Sequence, residues 1–318
     1  MRLARVIRWA ACVLVGIALL SQAASAAALK ALIVDGQNNH DWKGTTPQIK
    51  EILLGTGLFD VDVATTPQKG PMDGFAPEWS KYNVIVSNYN GADWPEATRK
   101  AFVKYMSGGG GLVVVHAADN SFGNWAEYNE MIGLGGWGGR NEKSGPYVYM
   151  KDGKWIRDES PGSGGAHGQQ TPYVVTSRAP EHPVMKGLPA AWMHCPDELY
   201  CKLRGPAKNM TILASSYSDA KTGGSGREEP VIMAIAYGKG RVLHTVLGHG
   251  PAQHKCVGFI VTLQRGTEWA ATGKVTQKVP ADFPTADKVS LREKDLGKAP
   301  DAGAKAEAGA TGATAARQ

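Results

Sequence analysis

The chain has 318 residues, 42% hydrophobic and 20% charged, which is too apolar for a disordered protein and long enough to bury the core of one large or two small domains. Its formal charge of +6 includes Arg2, Arg5 and Arg8, which precede an apolar run (residues 10–20) and a small-residue site at Ala24-Ser25-Ala26, the pattern of a secretory signal peptide over residues 1–26. Removing that segment lowers the charge to +3, and the absence of a dense Lys/Arg patch interleaved with aromatics argues against a nucleic-acid partner. No stretch reaches the roughly 18 continuous apolar residues of a transmembrane helix, so no stable membrane insertion is expected. The processed protein is expected in the periplasm or outside the cell.

From residue 29 strand and helix signals alternate, the mark of an α/β sheet. Residues 29–35 (LKALIVD) form a short apolar strand, and the polar loop behind it holds His40 and Asp41. Pro47 stands near the first turn of a helix that shows Ile49, Ile52 and Leu53 on one face and stops at Gly55 or Gly57. Residues 59–64 give a second strand and residues 82–87 (YNVIVS) a third, followed by Asn88 and Asn90. Asp93 is expected to cap the next helix, with Pro95 near its start, Ala101, Phe102, Tyr105 and Met106 inward, and Gly108 at its end. The wholly apolar fourth strand, residues 111–115 (GLVVV), stops at His116. Such strands lie parallel in a sheet covered on both faces, and ligands collect at their carboxyl ends.

Residues 133–168 are glycine-rich and read as a long insertion with turns, carrying Arg140 and His167. Further strands are expected at 172–176, 199–203, 211–215, 231–236 and 241–246, and a last helix from about 251 to 269 with Phe259, Ile260 and Leu263 inward. The domain is expected to span 27–280. Residues 281–318 hold six acids, six bases and a single aromatic, Phe283, and are expected to form a flexible, largely disordered tail.

His40 and Asp41, Asn88 and Asn90, His116, and His249 in LHTVLGHG all fall just after predicted strands, so a parallel sheet would gather them at one edge. His116 ends the most buried strand, and His249 sits in a Gly-His-Gly turn that lets a ligand approach closely. Asp197 and Glu198, in CPDELY, read either as a solvated turn or as carboxylates that orient a histidine or bind a hydroxyl or a metal. His182 reads as structural, while His194, His244 and His254 have no supporting neighbours. His116, His167, His249 and Asp197 or Glu198 are of metal-ligand type, but HExxH, CxxC and HxH spacings are absent, so a divalent metal is compatible with the sequence and not required by it. No GxSxG is present and no Ser or Cys directly follows residues 111–115, which disfavours an acyl-enzyme; the Gly108–Gly111 run precedes a strand, the wrong context for a phosphate loop. Cys12 leaves with the signal, and among Cys195, Cys201 and Cys256 both a Cys195–Cys201 bridge and reduced thiols fit.

Four stretches, LIVDGQNNHDW, GGGGLVVVHAADNSF, APEHPVMKGLPAAWMHCPDELY and GKGRVLHTVLGHG, resemble the ThuA-like (trehalose utilisation) family of the class I glutamine amidotransferase-like superfamily, in consistent order over residues 29–270. The resemblance implies an α/β fold with a flavodoxin-like, doubly wound, mainly parallel sheet. It also implies that glutaminase chemistry is absent, because His116-Ala117 stand where the superfamily's nucleophilic cysteine follows the buried strand. On function it implies carbohydrate metabolism, with a link to trehalose and 3-keto-glycosides.

The expectation is an exported hydrolase or lyase that takes a small sugar substrate through acid–base chemistry. His116, His249, Asp197 and Glu198 are its expected catalytic residues, and His40, Asp41, Asn88, Asn90, Arg140 and His167 its substrate-binding ones, with Arg140 and His167, or a divalent metal in place of the arginine, stabilising developing negative charge. The glycine-rich insertion departs from the family pattern. The alternative is a non-catalytic carbohydrate-binding or accessory protein in which Trp42, Trp94, Trp125 and Trp137 stack on sugar rings.

Overall fold

The computed structural model describes residues 27–70 and 72–299; the expected signal segment and the tail from residue 300 lie outside the described residues. The amino-terminal half alternates as its apolar runs dictate: β1 (Leu29–Asp35), α1 (Trp42–Leu54), β2 (Phe59–Thr65), β3 (Val84–Ser87), α2 (Glu96–Ser107) and β4 (Gly111–Val115). After the short helix α3 (Ala126–Ile132) come the hairpin β5 (Tyr147–Lys151) and β6 (Lys154–Asp158), then β7 (Ala166–His167), β8 (Thr171–Ser177), β9 (Ala191–Asp197) and β10 (Tyr200–Cys201). The chain continues through β11 (Met210–Ser218), β12 (Arg227–Tyr237), β13 (Gly240–Thr245) and α4 (Val257–Thr272).

Five strands pair in parallel in the order β2-β1-β3-β4-β13, the flavodoxin-like arrangement. The path then continues antiparallel through β12, β11, β8 and β9, with β5 and β6 added beside β12, so the sheet as a whole is mixed. Although β9 closes the far edge of this path, the Asp197 carboxylate at its end bonds the backbone of Gly248, in the loop after β13. The sheet therefore turns back on itself, and the ends of β9 and β13 meet.

Nearly every residue of helix α4 is buried, and its buried polar side chains are engaged: Gln264 donates to the Ile52 carbonyl, Arg265 to that of Val184, and Glu268 accepts from the Thr276 N–H. The helix ends at Gly273, whose φ of 76° is the left-handed cap. Its approach to β4 is so close that a Cβ on Gly111 would lie 2.6 Å from the Ala270 carbonyl oxygen. Among the described residues no helix is long and apolar enough to cross a membrane.

Several elements differ from expectation. Helix α1 starts at Trp42, with Asp41 as its cap, and carries Pro47 in its second turn. Helix α2 starts at Glu96 behind Pro95, no side chain caps it, and Ala101 is exposed rather than inward. Strand β9 has no counterpart in the expectations, since Pro196 and the polar ends of AWMHCPD hide its alternation, while the strand expected at 199–203 shrinks to β10. Inside the glycine-rich segment, Asp152 and Gly153 take φ 50° and 74° and close the β5–β6 hairpin, a two-residue Asp-Gly turn of the kind that fits strand twist. The last helix begins at Val257, not near 251.

Packed chain also continues past the boundary expected at 280. Residues 281–299 hold no helix or long strand, yet Leu296 is buried, its N–H donates to Glu51, and Arg292 pairs with Asp282. The Gln264 side chain donates to the Gly297 carbonyl, so this strap joins α1 to α4.

Gly111→Ala is expected to destabilise the fold by about 1–3 kcal/mol, the usual cost of overpacking, because the new methyl meets backbone rather than a movable side chain. Urea denaturation of the two proteins checks this; equal stability would mean that α4 and β4 have room to separate.

Candidate active site

Three parallel strands deliver histidines to one edge of the sheet: His40 lies beyond β1, His116 directly follows β4, and His249 lies beyond β13. Glu198 arrives from the opposite side, one residue beyond β9. Its Oε2 lies 3.1 Å from His249 Nδ1, 3.6 Å from His40 Nε2 and 3.7 Å from His116 Nε2. Its Oε1 is 3.8 Å from Nε2 of His167, whose side chain is 39% exposed and marks the mouth. The His40 ring meets His249 edge-on at 4.5 Å and His116 at 4.9 Å between centroids.

His116 is held in a defined state. Its Nδ1 lies 2.6 Å from the Val246 carbonyl, which can only accept, so Nδ1 carries the proton and the Nε2 of a neutral ring keeps its lone pair. That Nε2 is buried on the Glu198 side and has no hydrogen-bond partner. The backbone takes φ 46°, a strained region for a residue with a Cβ, and the Tyr200 ring packs 4.1 Å from the imidazole.

Asp197 is wholly buried, and its carboxylate is taken up by four donors. Its Oδ2 accepts from His194 Nε2 at 2.9 Å and Gly248 N at 2.8 Å, and its Oδ1 from Glu198 N at 2.8 Å and His249 N at 3.2 Å. It positions the backbones of two cluster residues rather than touching a substrate. Burial opposes its charge, but His194 and the backbone donors prevail and hold its carboxyl below the usual range. Burial likewise opposes ionisation of Glu198, and the imidazoles of His116, His249 and His40 outweigh it, keeping Glu198 a carboxylate. Its carboxylate raises His249, while burial lowers His40.

Other expected site residues fall elsewhere. The Asp41 side chain is engaged by the Gly44 N–H at the start of α1. Asn88 donates to the Thr45 and Thr46 hydroxyls, and Asn90 to Asn39, so both tie loops together. Arg140 is buried and gives its donors to Asn129 and to the carbonyls of Asn120, Gly136 and Ser121, leaving no face for an anion. Trp94 and Trp125 are buried in an aromatic cluster with Phe102 and Phe122, which removes them as stacking platforms. Trp137, half-buried, stands 4.8 Å from Tyr200 and 6.1 Å from His167 between ring centroids.

Sequence reasoning missed the supporting residues. His194 bonds Asp197 across an i,i+3 spacing and places Nδ1 3.3 Å from Cys256 Sγ; the HCPDE string carried that signal. His244 joins Asp119 at 3.1 Å to the Ile132 carbonyl at 2.9 Å, beneath the turn after His116. His254 stacks on Phe259 and meets the Gly248 carbonyl. Cys195, Cys201 and Cys256 are free, and the thiol beside Cys195 belongs to Cys256, not Cys201.

The donor atoms of His40, His116, His249 and Glu198 all lie within 4.8 Å of one another, so these four residues could hold a metal ion. Without one, they offer an imidazole lone pair, a carboxylate and exchangeable protons, with solvent reaching the cluster at His167 and His249.

The family model ThuA, described as trehalose utilisation, matches residues 30–270. The chain is similar to a ThuA-like protein from Parabacteroides merdae of known crystal structure, at 50% identity over 85% of this chain and 99% of that one, with a TM-score of 0.82. A ThuA-like protein from Bacteroides uniformis shares the fold at 23% identity, 80% and 96% coverage and a TM-score of 0.54. No curated protein matches the chain.

Two buried histidines shape the pH dependence of stability. Burial disfavours the charged His194, but the Cys256 sulfur and Asp197 prevail and push it up to about 10; burial pushes His254 down to about 4. The stabilisation from His194 is complete below the unfolded value of about 6.5 and is lost as pH rises through the folded one; that from His254 is complete above about 6.5 and is lost as pH falls. Urea denaturation across this range is expected to show highest stability near pH ~6.5. Asp197→Asn should flatten the alkaline limb and cost about 3–5 kcal/mol, and His254→Phe should flatten the acid limb. Limbs unchanged in the variants would contradict the assignment.

Proposed function

We propose a catalytic role from one premise: the chain belongs to the ThuA family, whose trehalose-utilisation description supports a carbohydrate-related role. On that premise the protein is an exported enzyme that acts on a sugar or 3-keto-glycoside of trehalose type, without glutaminase activity. The observation that carries this reading is the convergence of His40, His116 and His249 on the Glu198 carboxylate at the carboxyl edge of parallel strands.

A keto group at C3 of a glycoside makes the neighbouring C2–H bond acidic. Removing that proton leaves an enediolate, and its collapse forms a C1–C2 double bond while the C1–O bond breaks and the leaving oxygen takes a proton. The reaction needs a base and an acid close together. In the cluster the His116 Nε2, which bears the lone pair in the tautomer that Val246 selects, lies beside His249, which Glu198 holds toward its protonated form. Asp197 fixes the backbones of Glu198 and His249 and acts through them. His167 and Trp137, at the mouth, are the groups placed to meet the sugar ring.

Purified processed protein, assayed by product analysis, is expected to consume 3-keto-trehalose or a related 3-keto-glucoside. His116→Ala and Glu198→Gln should each lower kcat by about 10²–10⁴ with little change in substrate binding. Binding with no turnover under any condition would refute the enzyme and favour an accessory carbohydrate-binding protein. Cell fractionation tests export separately: the chain should be recovered outside the cytoplasm, cut after residue 26. Recovery of an uncut chain in the cytoplasm would refute that part alone.

A further inference from the structure

We propose that His40, His116, His249 and Glu198 bind one divalent first-row transition-metal ion. The four donor atoms lie within 4.8 Å of one another, and the carboxylate-to-imidazole separations are 3.1, 3.6 and 3.7 Å. A tetrahedral ion with bonds of about 2.0–2.2 Å to nitrogen and oxygen sets its donors about 3.3–3.6 Å apart, the same spacing.

The hydrogen bonding points the same way. His116 Nε2 and His249 Nδ1 are buried and without a hydrogen-bond partner, and the second is so placed although it stands 3.1 Å from Glu198 Oε2. His249 Nδ1, 3.1 Å from the carboxylate but not aligned to donate to it, and His116 Nε2, 3.7 Å from it and bearing the ring's lone pair, are left as unsatisfied buried polar atoms, which folded proteins avoid. A cation between them satisfies both. Protons alone would have to charge up to three imidazoles against one carboxylate.

His116 and the backbones of Glu198 and His249 have the outer contacts of ligating residues. His116 donates its other nitrogen to the Val246 carbonyl, which fixes the ring and turns the lone pair inward. Asp197 holds the backbone N–H groups of Glu198 and His249, so two ligands share one anchor. A set of three imidazoles and one carboxylate suits zinc, cobalt or nickel rather than the all-oxygen magnesium and calcium sites. His167 stands outside the set, 3.8 Å from the other Glu198 oxygen, on the open side where a substrate or water would enter.

The ion site stands on donor geometry; only its catalytic use rests on the sugar-enzyme reading. There the ion would supply the positive charge for a developing oxyanion that Arg140, engaged with carbonyls, is not free to give. Four protein donors fill a tetrahedral shell, so catalytic use would require the ion to take a fifth ligand, a water of lowered pKa or the keto oxygen, in place of the free His116 nitrogen; the C2–H, C1–O and leaving-oxygen changes are those written above.

The test needs no substrate. Processed protein, stripped with a chelator, is titrated with Zn2+ and Co2+ against a chromophoric competitor. One ion per chain should bind at micromolar concentration or tighter, and Co2+ should give visible bands of a low-symmetry nitrogen and oxygen site. His116→Ala, His249→Ala and Glu198→Gln should each weaken binding at least about 10–100-fold, while His167→Ala should bind as the parent does and Mg2+ and Ca2+ should not compete. Each variant's melting temperature, read in the chelated state, separates a lost ligand from a lost fold. Failure of the parent to bind, or binding that survives in folded His116→Ala and Glu198→Gln, overturns the proposal. Such a failure leaves the acid–base enzyme standing, and binding without turnover overturns only the enzyme.

Discussion

The Asp197 carboxylate ties the two ends of a long sheet to each other, and the arrangement of the site follows from that tie. A charge taken out of water is costly unless donors surround it. Here four donors do so, one from His194 on the same strand, one from its own neighbour Glu198, and two from the loop after β13. The strand β9 closes the antiparallel edge, while β13 closes the parallel core, so meeting these donors forces the sheet to curl. Curling brings Glu198 to histidines that the parallel half had already gathered. Neither half of the sheet holds the cluster by itself.

What the sequence made legible follows physical periodicity. The strands β1, β3 and β4 are short apolar runs bounded by polar loops, and a parallel sheet sends the residues after them to one edge whatever their identity. His40, His116 and His249 were found by that rule. Strand β9 was not, because Pro196 and the buried polar side chains of His194 and Asp197 break the pattern that marks a strand. The same polar burial makes β9 matter. Asp41, Asn88 and Asn90 stand at strand ends too, and position alone could not reveal that a helix cap and two loop ties had already taken their side chains.

Arginine misled for a related reason. In the glycine-rich segment few carbonyls find partners in regular structure, yet buried carbonyls need donors. Arg140 and Arg204 meet that need, the second by donating to Gly145, Ser160 and Gly162 while lying 3.9 Å over the Tyr147 ring. Each guanidinium offers five donors from one side chain and so orders a stretch that hydrogen-bonded ladders cannot. A sequence shows the charge of such a residue and not the carbonyls waiting for it, which is why Arg140 resembled an anion-binding group.

The proton on His116 is written into the alignment of two strands. Parallel pairing sets Val115 opposite Thr245, so the next residues, His116 and Val246, leave the sheet side by side and the carbonyl of one meets the ring of the other. A slip of one residue would turn every side chain of β13 to the opposite face and put an N–H or empty space where that carbonyl stands. The imidazole would then be free to carry its proton on either nitrogen. Strand register in this fold thus serves as a chemical setting as well as a packing one, and selection on the apolar residues of β4 and β13 is also selection on which atom of His116 faces the pocket.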